Sequence, residues 1–226
     1  MYLLEKYWVG MDTASDARIL MAERCVRDVE KYIGNMRDVK KSGILKELEA
    51  KIMELKYSYG ELEDLKTILE DIKKFCVDIV NILGGNEWVA RLKGMKFSAL
   101  SIAHIKFCLN ILYNLENRLK LPPKPEYAVD IRIGEVESVM KHPNAGKLRI
   151  CNVNVGKVVT VVTNIDSVKE GEKLAVALLP PAEFFGVVSE GMFLSHESKN
   201  GTPGEIPALT DEERNNARKE VLKYLR

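Results

Sequence analysis

Two short stretches gather the side chains that can touch a polyanion or an aromatic base. KHPNAGKL, residues 141–148, places Lys141 and Lys147 around His142 and Asn144, and Arg149 follows at once. FFGVVSEGM, residues 184–192, supplies Phe184, Phe185, Ser189, Gly191 and Met192, and Asn164 ends a valine-rich run between the two. Lysine and arginine hold phosphate oxygens, amides and hydroxyls read base edges, and phenylalanine rings stack on bases. His142 could stack or touch phosphate. Each group also has a plain structural use. His142-Pro143-Asn144 is a good turn signal, since proline fixes φ and asparagine tolerates left-handed geometry. Met192 alternates with Leu194 as a core residue would, and the two phenylalanines could plug a barrel.

Catalytic chemistry finds little support. His142 and His196 are the only histidines after the proline-rich stretch, about 54 positions apart, and neither has a cysteine or histidine at metal-ligand spacing. GVVSEG is not the Gly-x-Ser-x-Gly of a nucleophile elbow, and no glycine-rich phosphate loop occurs. Glu61, Glu63, Asp64, Glu70 and Asp71 include no Glu-x-x-His pair, so the di-iron pattern is absent. His104 sits among apolar neighbours and reads as a packed or partly exposed residue. The expectation is a protein that is not an enzyme and needs no metal or cofactor.

The elements that carry these residues fall into two kinds. LPPKPE, residues 121–126, has three prolines in four positions and cannot continue a helix. Before it, apolar residues recur every three or four positions. Val26, Val29, Ile33 and Met36 mark a helix starting near Ser15, and Leu45, Leu48, Ile52 and Leu55 a shorter one. A long helix carries Leu62, Leu65, Leu69, Ile72, Cys76, Ile79 and Leu83, and Gly84-Gly85 stops it. A fourth spans roughly 98 to 119. None can bury its stripe alone, so a bundle is the natural solution. The aromatic segment YLLEKYWVG could cover that bundle or meet a partner.

After the prolines the period falls to two. Strands are expected over 130–140, 148–156, 158–164, 173–180 and 191–196. Gly134 interrupts the first and suggests a bulge or a sharp coil in a curved strand. Five short strands in about 70 residues fit a small closed barrel of the OB type. Thr210 with Glu213 forms a capping box, and Ala217, Val221, Leu222 and Leu225 then share a face, so a helix runs from about 211 to 225. The expected class is multidomain α and β. A helical bundle at 1–120 and a proline-rich linker at 121–126 precede an OB-fold barrel at 127–200, and residues 201–226 form an extension with a helix.

The chain has 226 residues, 46% of them apolar, and a formal charge of +1, which argues against a strongly basic nucleic-acid coat. Cys25, Cys76, Cys108 and Cys151 are too scattered for a disulfide framework and have apolar neighbours, so buried thiols in a reducing compartment are expected. No apolar run approaches a membrane span. These readings place the protein in the cytoplasm.

DIRIGEVESVMKHPNAGKLRICNVNVG, then VVTN, then LPPAEFFGVVSEGM, resembles the tRNA-binding domain of the EMAP-II and secretion-chaperone-like group. The same module occurs in methionyl-tRNA synthetases and in the phenylalanyl-tRNA synthetase β chain. The likeness covers roughly residues 125–197, about a third of the chain, and leaves the helical half outside it. That half has no HIGH-type or KMSKS-type segment and does not look like a synthetase catalytic domain. The resemblance implies a barrel that binds the outside of folded tRNA without catalysis, often as a dimer. Asn144, Asn164, Ser189, Gly191 and Met192 would lie on its binding face.

Two positions depart from the family pattern. Gly146 stands where an aspartate is usual, and Phe184-Phe185-Gly186-Val187 replaces Leu-Arg-Gly-Val. The arginine fork for phosphate is exchanged for a ring that can stack on a base or bury in a protein. From Tyr127 to His196, seven Lys or Arg face eight Asp or Glu, a net −1, so any cationic patch must be local. Through residue 121 the balance is 20 to 18.

The reading that results is a non-catalytic binder of structured RNA, above all tRNA. Lys141, His142, Asn144, Lys147, Arg149, Asn164, Phe184, Phe185, Ser189, Gly191 and Met192 would be its contacts. The bundle would serve dimerisation or a second contact. A second copy and, by analogy, an aminoacyl-tRNA synthetase would be its protein partners, with no membrane. The rival is a protein-docking scaffold, synthetase-associated or chaperone-like, in which Phe185 faces a protein and RNA affinity is largely lost.

Overall fold

The first helix begins where its sequence supplies a cap. The Asp16 carboxylate accepts the Arg18 N–H at 2.8 Å, satisfying one of the donors that a helix start leaves open. In the computed structural model, which describes residues 13–226, this helix is α1, Ala17–Ile33. The aromatic segment YLLEKYWVG lies outside the described residues. Ile19, Ala22, Val26, Val29 and Ile33 form the buried stripe of α1. The chain then forms α2 Arg37–Ser42, α3 Ile44–Lys56, α4 Lys66–Leu83, α5 Trp88–Gly94, α6 Ala99–Tyr113 and α7 Leu115–Leu119. Gly43, at φ +70°, turns α2 into α3. α1 packs on α3 and α6, and α4 packs on the same two, so four helices close a ring around one core.

Three helix boundaries differ from the periodic reading. The stripe from Leu62 enters its helix only at Lys66, with Leu65 buried in the preceding turn. Met36 is not on the first helix; it precedes α2. The helix expected over 98–119 breaks at Asn114, whose side-chain amide donates to the Asn110 carbonyl at 3.2 Å.

Arg18 is the polar centre of this unit. Its side chain is fully buried and paired with Asp16 at 2.5 Å. Its Nη1 donates to the carbonyls of Arg118, Leu119 and Leu121, at 3.2, 3.3 and 2.5 Å. A buried guanidinium thus caps the end of α7, where helix carbonyls lack partners and the dipole favours a cation. All four cysteines are buried free thiols, and burial pushes the Cys76 thiol up to about 12. The His104 ring stacks on Tyr32 with centroids 5.4 Å apart. Among the described residues, no helix is long and apolar enough to cross a membrane.

The chain divides into two compact units between Ala128 and Val129. The second unit holds β1 Ile131–Lys141, β2 Arg149–Asn154, β3 Val158–Thr163, β4 Lys173–Phe184, β5 Val187–Ser198 and α8 Asp211–Leu225. The strands are antiparallel in the order β3-β2-β1-β4-β5. Val136, Val153, Val161, Val176 and Phe193 fill one face. Ile131, Ala175, Ala177 and Leu194 turn to the other, where Ala217 of α8 covers them.

The barrel is not closed by a backbone ladder as the sequence suggested. β5 lies beside β3, but two edge amides of β3 go to side chains. Val162 N–H donates to Ser189 Oγ at 2.9 Å and Thr160 N–H to Glu190 Oε2 at 3.3 Å. Capping an edge in this way satisfies its donors without a fifth pairing. The bulge in β1 is not at Gly134 either. The register slips between Val136 and Ser138, leaving Glu137 as the extra residue, while Gly134 pairs regularly with Leu174. Gly134 answers to crowding instead, because a Cβ there would lie 2.6 Å from methyls of both Val153 and Val176. Gly134→Ala is therefore expected to cost about 1–3 kcal/mol by overpacking. Gly146→Ala, in open space, should move stability by under about 0.5 kcal/mol. Chemical denaturation of both variants checks the pair.

β4 and β5 run further than the period indicated. The fourth strand, expected to end at 180, passes through Pro180-Pro181 with a register shift between Leu178 and Ala182 and continues to Phe184. Proline donates no ladder bond, so the slip accommodates it. On α8 the buried residues are Glu213, Ala217 and Val221, while Leu222 is exposed, so the face expected to include Leu222 is rotated.

Candidate functional site

The β1–β2 loop and the β4–β5 turn are tied together. His142 is 3% exposed and uses both ring nitrogens. Asn144 N–H donates to Nδ1 at 3.1 Å, so a neutral ring carries its proton on Nε2, which lies 3.0 Å from the Phe184 carbonyl and donates to it. The Asn144 side-chain amide donates to the Phe185 carbonyl at 3.3 Å. The His142 ring also meets Phe185 edge to face, with centroids 6.1 Å apart. His142 and Asn144 thus hold the hairpin tip.

That tip is unusual in its backbone. Phe184 pairs with Val187 across a two-residue turn, Phe185-Gly186, with φ of +49° and +92°. Hairpins favour two positive φ values because that twist matches the strands. Glycine takes this conformation freely, whereas a bulky residue does so rarely and at a cost of about 1–2 kcal/mol. The two hydrogen bonds to the carbonyls of 184 and 185 offset it. The Phe185 ring stays 66% exposed and Phe184 40% exposed. An aromatic held in strained geometry and turned to solvent is a stacking surface in waiting.

The cations sit along the loop beside this tip. Lys141 and Arg149 face each other in the β1–β2 ladder. Arg149 is paired with Asp166 at 3.1 Å. Lys141 and Lys147 are exposed, and among the described residues neither ammonium has a carboxylate partner. Lys157 lies at the other end of β2, in the turn to β3, and does not belong with them.

A cleft of about 580 Å³ opens next to the tip. Val162, Thr163 and Asn164 form one side, and Leu179, Pro180 and Phe184 another. Gly191 and Met192 line it from β5. A Cβ at Gly191 would lie 2.7 Å from the Ala177 carbonyl oxygen, so only glycine permits this approach. Ser189 also lines the cleft but is buried, accepting from Val162 N–H and donating to the Gly191 carbonyl at 3.0 Å. Its hydroxyl is spent on the strands. Asn164 is exposed, and among the described residues its carboxamide makes no hydrogen bond.

The remaining wall was not anticipated. Glu220, Lys223 and Tyr224 of α8 line the cleft. Tyr224 follows Val221 by three positions and Ala217 by seven, so it continues the buried stripe. That spacing was the available signal, and the assignment of Leu222 to the face obscured it. Glu213 anchors the helix: its carboxylate accepts from Ser195 Oγ at 2.6 Å, Lys199 Nζ at 2.8 Å and Thr210 N–H at 2.9 Å, completing the expected capping box. Burial alone would raise the Glu213 carboxyl, but the Lys199, Ser195 and Thr210 donors outweigh it and hold the group below the usual carboxylate range. Burial raises the Cys151 thiol in the core below to about 11, leaving it inert. Among the described residues no three His, Cys, Asp or Glu side chains cluster to hold a metal.

Comparison with known proteins matches residues 131–215 to the family described as "Putative tRNA binding domain" and residues 10–122 to the family described as "Alpha helical domain". The Moorella thermoacetica phenylalanine–tRNA ligase beta subunit is 43% identical over 72 residues, which is 27% of this chain and 9% of that protein. The "Putative tRNA-binding protein YtpR" of Bacillus subtilis is 37% identical over 92 residues, covering 36% of this chain and 44% of its own length. The Nanoarchaeum equitans methionine–tRNA ligase is 27% identical over 207 residues, 85% of this chain and 25% of the ligase. The chain spans less than half the length of each of these relatives.

Proposed function

We infer that this protein binds structured RNA, tRNA above all, from the premise that the chain belongs to the family described as "Putative tRNA binding domain" through residues 131–215 and to the "Alpha helical domain" family through residues 10–122. The observation that carries the reading is the locked hairpin. Phe184 and Phe185 stand exposed, fixed by His142 and Asn144, beside Lys141 and Lys147, which have no carboxylate partner among the described residues. Rings on a rigid tip stack, and nearby ammonium groups neutralise phosphate. His142 and Ser189 act by positioning, and Arg149 reaches RNA only by sharing its charge with Asp166. Binding is non-catalytic and uses no cofactor, and the cytoplasm is its setting.

The helical unit supplies a second contact in this reading. Arg27, Lys31, Lys40 and Lys46 line a groove of about 510 Å³ there, with Glu30 the only carboxylate among its lining residues. Arg27 is already paired with Glu23. A homodimer would double both patches and raise avidity. A synthetase is a fitting protein partner. The rival reading, a protein-docking scaffold, draws on Phe185 at 66% exposure within a strand region of net −1.

Salt separates the two. Log affinity for folded tRNA should fall linearly with log salt, and each neutralised phosphate contributes roughly 0.7–0.9 to the slope. Lys141→Ala/Lys147→Ala should lower the slope by about 1.5 and weaken binding at 50 mM salt far more than at 200 mM. Titration of labelled tRNA into wild type and variant measures both. Binding that ignores salt and the two lysines would favour the docking scaffold.

A further inference from the structure

We propose that the cleft between the strands and α8 receives one unpaired nucleobase of the bound RNA. This inference rests on the RNA-binding reading and adds to it a specific pocket.

Its size fits a small ligand, since sites of 300–1,000 Å³ enclose molecules of this class, and the cleft is about 580 Å³. Its chemistry fits a base better than a phosphate. The charged lining residues, Glu220 and Lys223, face each other at 3.6 Å and cancel. Val162, Leu179 and Met192 make the lining apolar, and Phe184 and Tyr224 add an aromatic ring from each of two walls. A planar, uncharged, polar-edged group is what such a slot stabilises. The Asn164 carboxamide stands at the slot with donor and acceptor uncommitted among the described residues, suited to a base edge. The Ser189 hydroxyl is spent on the strands and Thr163 Oγ1 accepts from Ile165 N–H at 3.1 Å, so the Asn164 carboxamide is the amide left to discriminate. Phosphates on either side of an inserted base would run toward the loop that carries Lys141 and Lys147. The cleft and the hairpin tip share Phe184, so one strand of RNA can engage both.

The test uses the full chain and two probes, folded tRNA and a single-stranded RNA whose purines are 2-aminopurine, which is quenched on stacking. Wild type should quench the probe. Tyr224→Leu keeps apolar bulk without a ring, and Asn164→Ala alters an exposed side chain, so neither threatens the fold. Each should weaken binding about 5- to 150-fold, the range for losing one base contact, and reduce quenching. Tyr224→Phe should restore both. Leu222→Ala, on the exposed side of α8, should change nothing. If tRNA binds with the expected salt and lysine dependence while Tyr224→Leu and Asn164→Ala match wild type, the base pocket is overturned and RNA binding stands. If wild type binds neither RNA, both readings fall. A cleft that instead takes apolar peptide, with the RNA probe unquenched, also overturns it.

Discussion

Replacing Arg18 with alanine is expected to destabilise the helical unit by about 3–5 kcal/mol, a large part of a domain's stability. The side chain is 0% exposed, and its partner Asp16 is 3% exposed. Alanine would strand the Asp16 carboxylate without its counter-charge. It would also remove the side-chain donor to the Leu119 and Leu121 carbonyls, the latter held at 2.5 Å. Each unsatisfied buried carbonyl costs about 1–3 kcal/mol. Lysine should recover little, because a point charge cannot fork between a carboxylate and three carbonyls. Chemical denaturation checks the magnitude. In a double-mutant cycle, Asp16→Ala added to Arg18→Ala should cost much less than the sum of the two singles. A loss below 1 kcal/mol for Arg18→Ala would contradict this account of the bundle.

Replacing Glu213 with alanine is expected to cost a similar amount, and the loss falls on the site. The carboxylate is fully buried and binds Lys199, Ser195 and the Thr210 N–H. Its removal leaves the Lys199 ammonium, 10% exposed, with Glu197 at 3.8 Å as its remaining carboxylate among the described residues. About 3–5 kcal/mol follows from breaking one side of a buried pair. α8 would loosen from β5 and carry Tyr224 away from the cleft, so RNA affinity should fall together with helix protection. Hydrogen exchange over residues 211–225, read beside tRNA affinity, measures the coupling. The same anchor sets a pH dependence. The folded Glu213 carboxyl is held below its ordinary value of 4.5. Its stabilisation is therefore complete above pH 4.5 and drains as pH falls through the lower folded value. α8 should stay docked at neutral pH and release first in acid, and Glu213→Gln should remove that acid step.

What could be read from the residues was what is local. The Thr210–Glu213 capping box lies within one turn and was legible. The alternation of Val153, Val155, Val159 and Val161 was legible because a half-buried strand must alternate. The pairing of Arg18 was not, since the carbonyls it caps lie 100 or more positions away. The edge contact through Ser189 joins atoms 27 positions apart and depends on where two edges fall. The hairpin tip was hidden by Pro180-Pro181, which imitate a strand end. His142 illustrates the limit best. HPN was legible as a turn and as a family motif, but its grip on the Phe184 carbonyl exists only once β4 returns beside it. Sequence named Asn164, Phe184, Ser189, Gly191 and Met192 of the cleft lining while leaving unseen the α8 wall that completes it.

The central claim is that the locked hairpin and the lysine loop form the RNA face. Hydrogen exchange on the full chain, with and without saturating folded tRNA, tests it most directly. The account expects new protection concentrated at residues 141–148 and 184–192. Bound tRNA that leaves both stretches exchanging as in the free protein would contradict it.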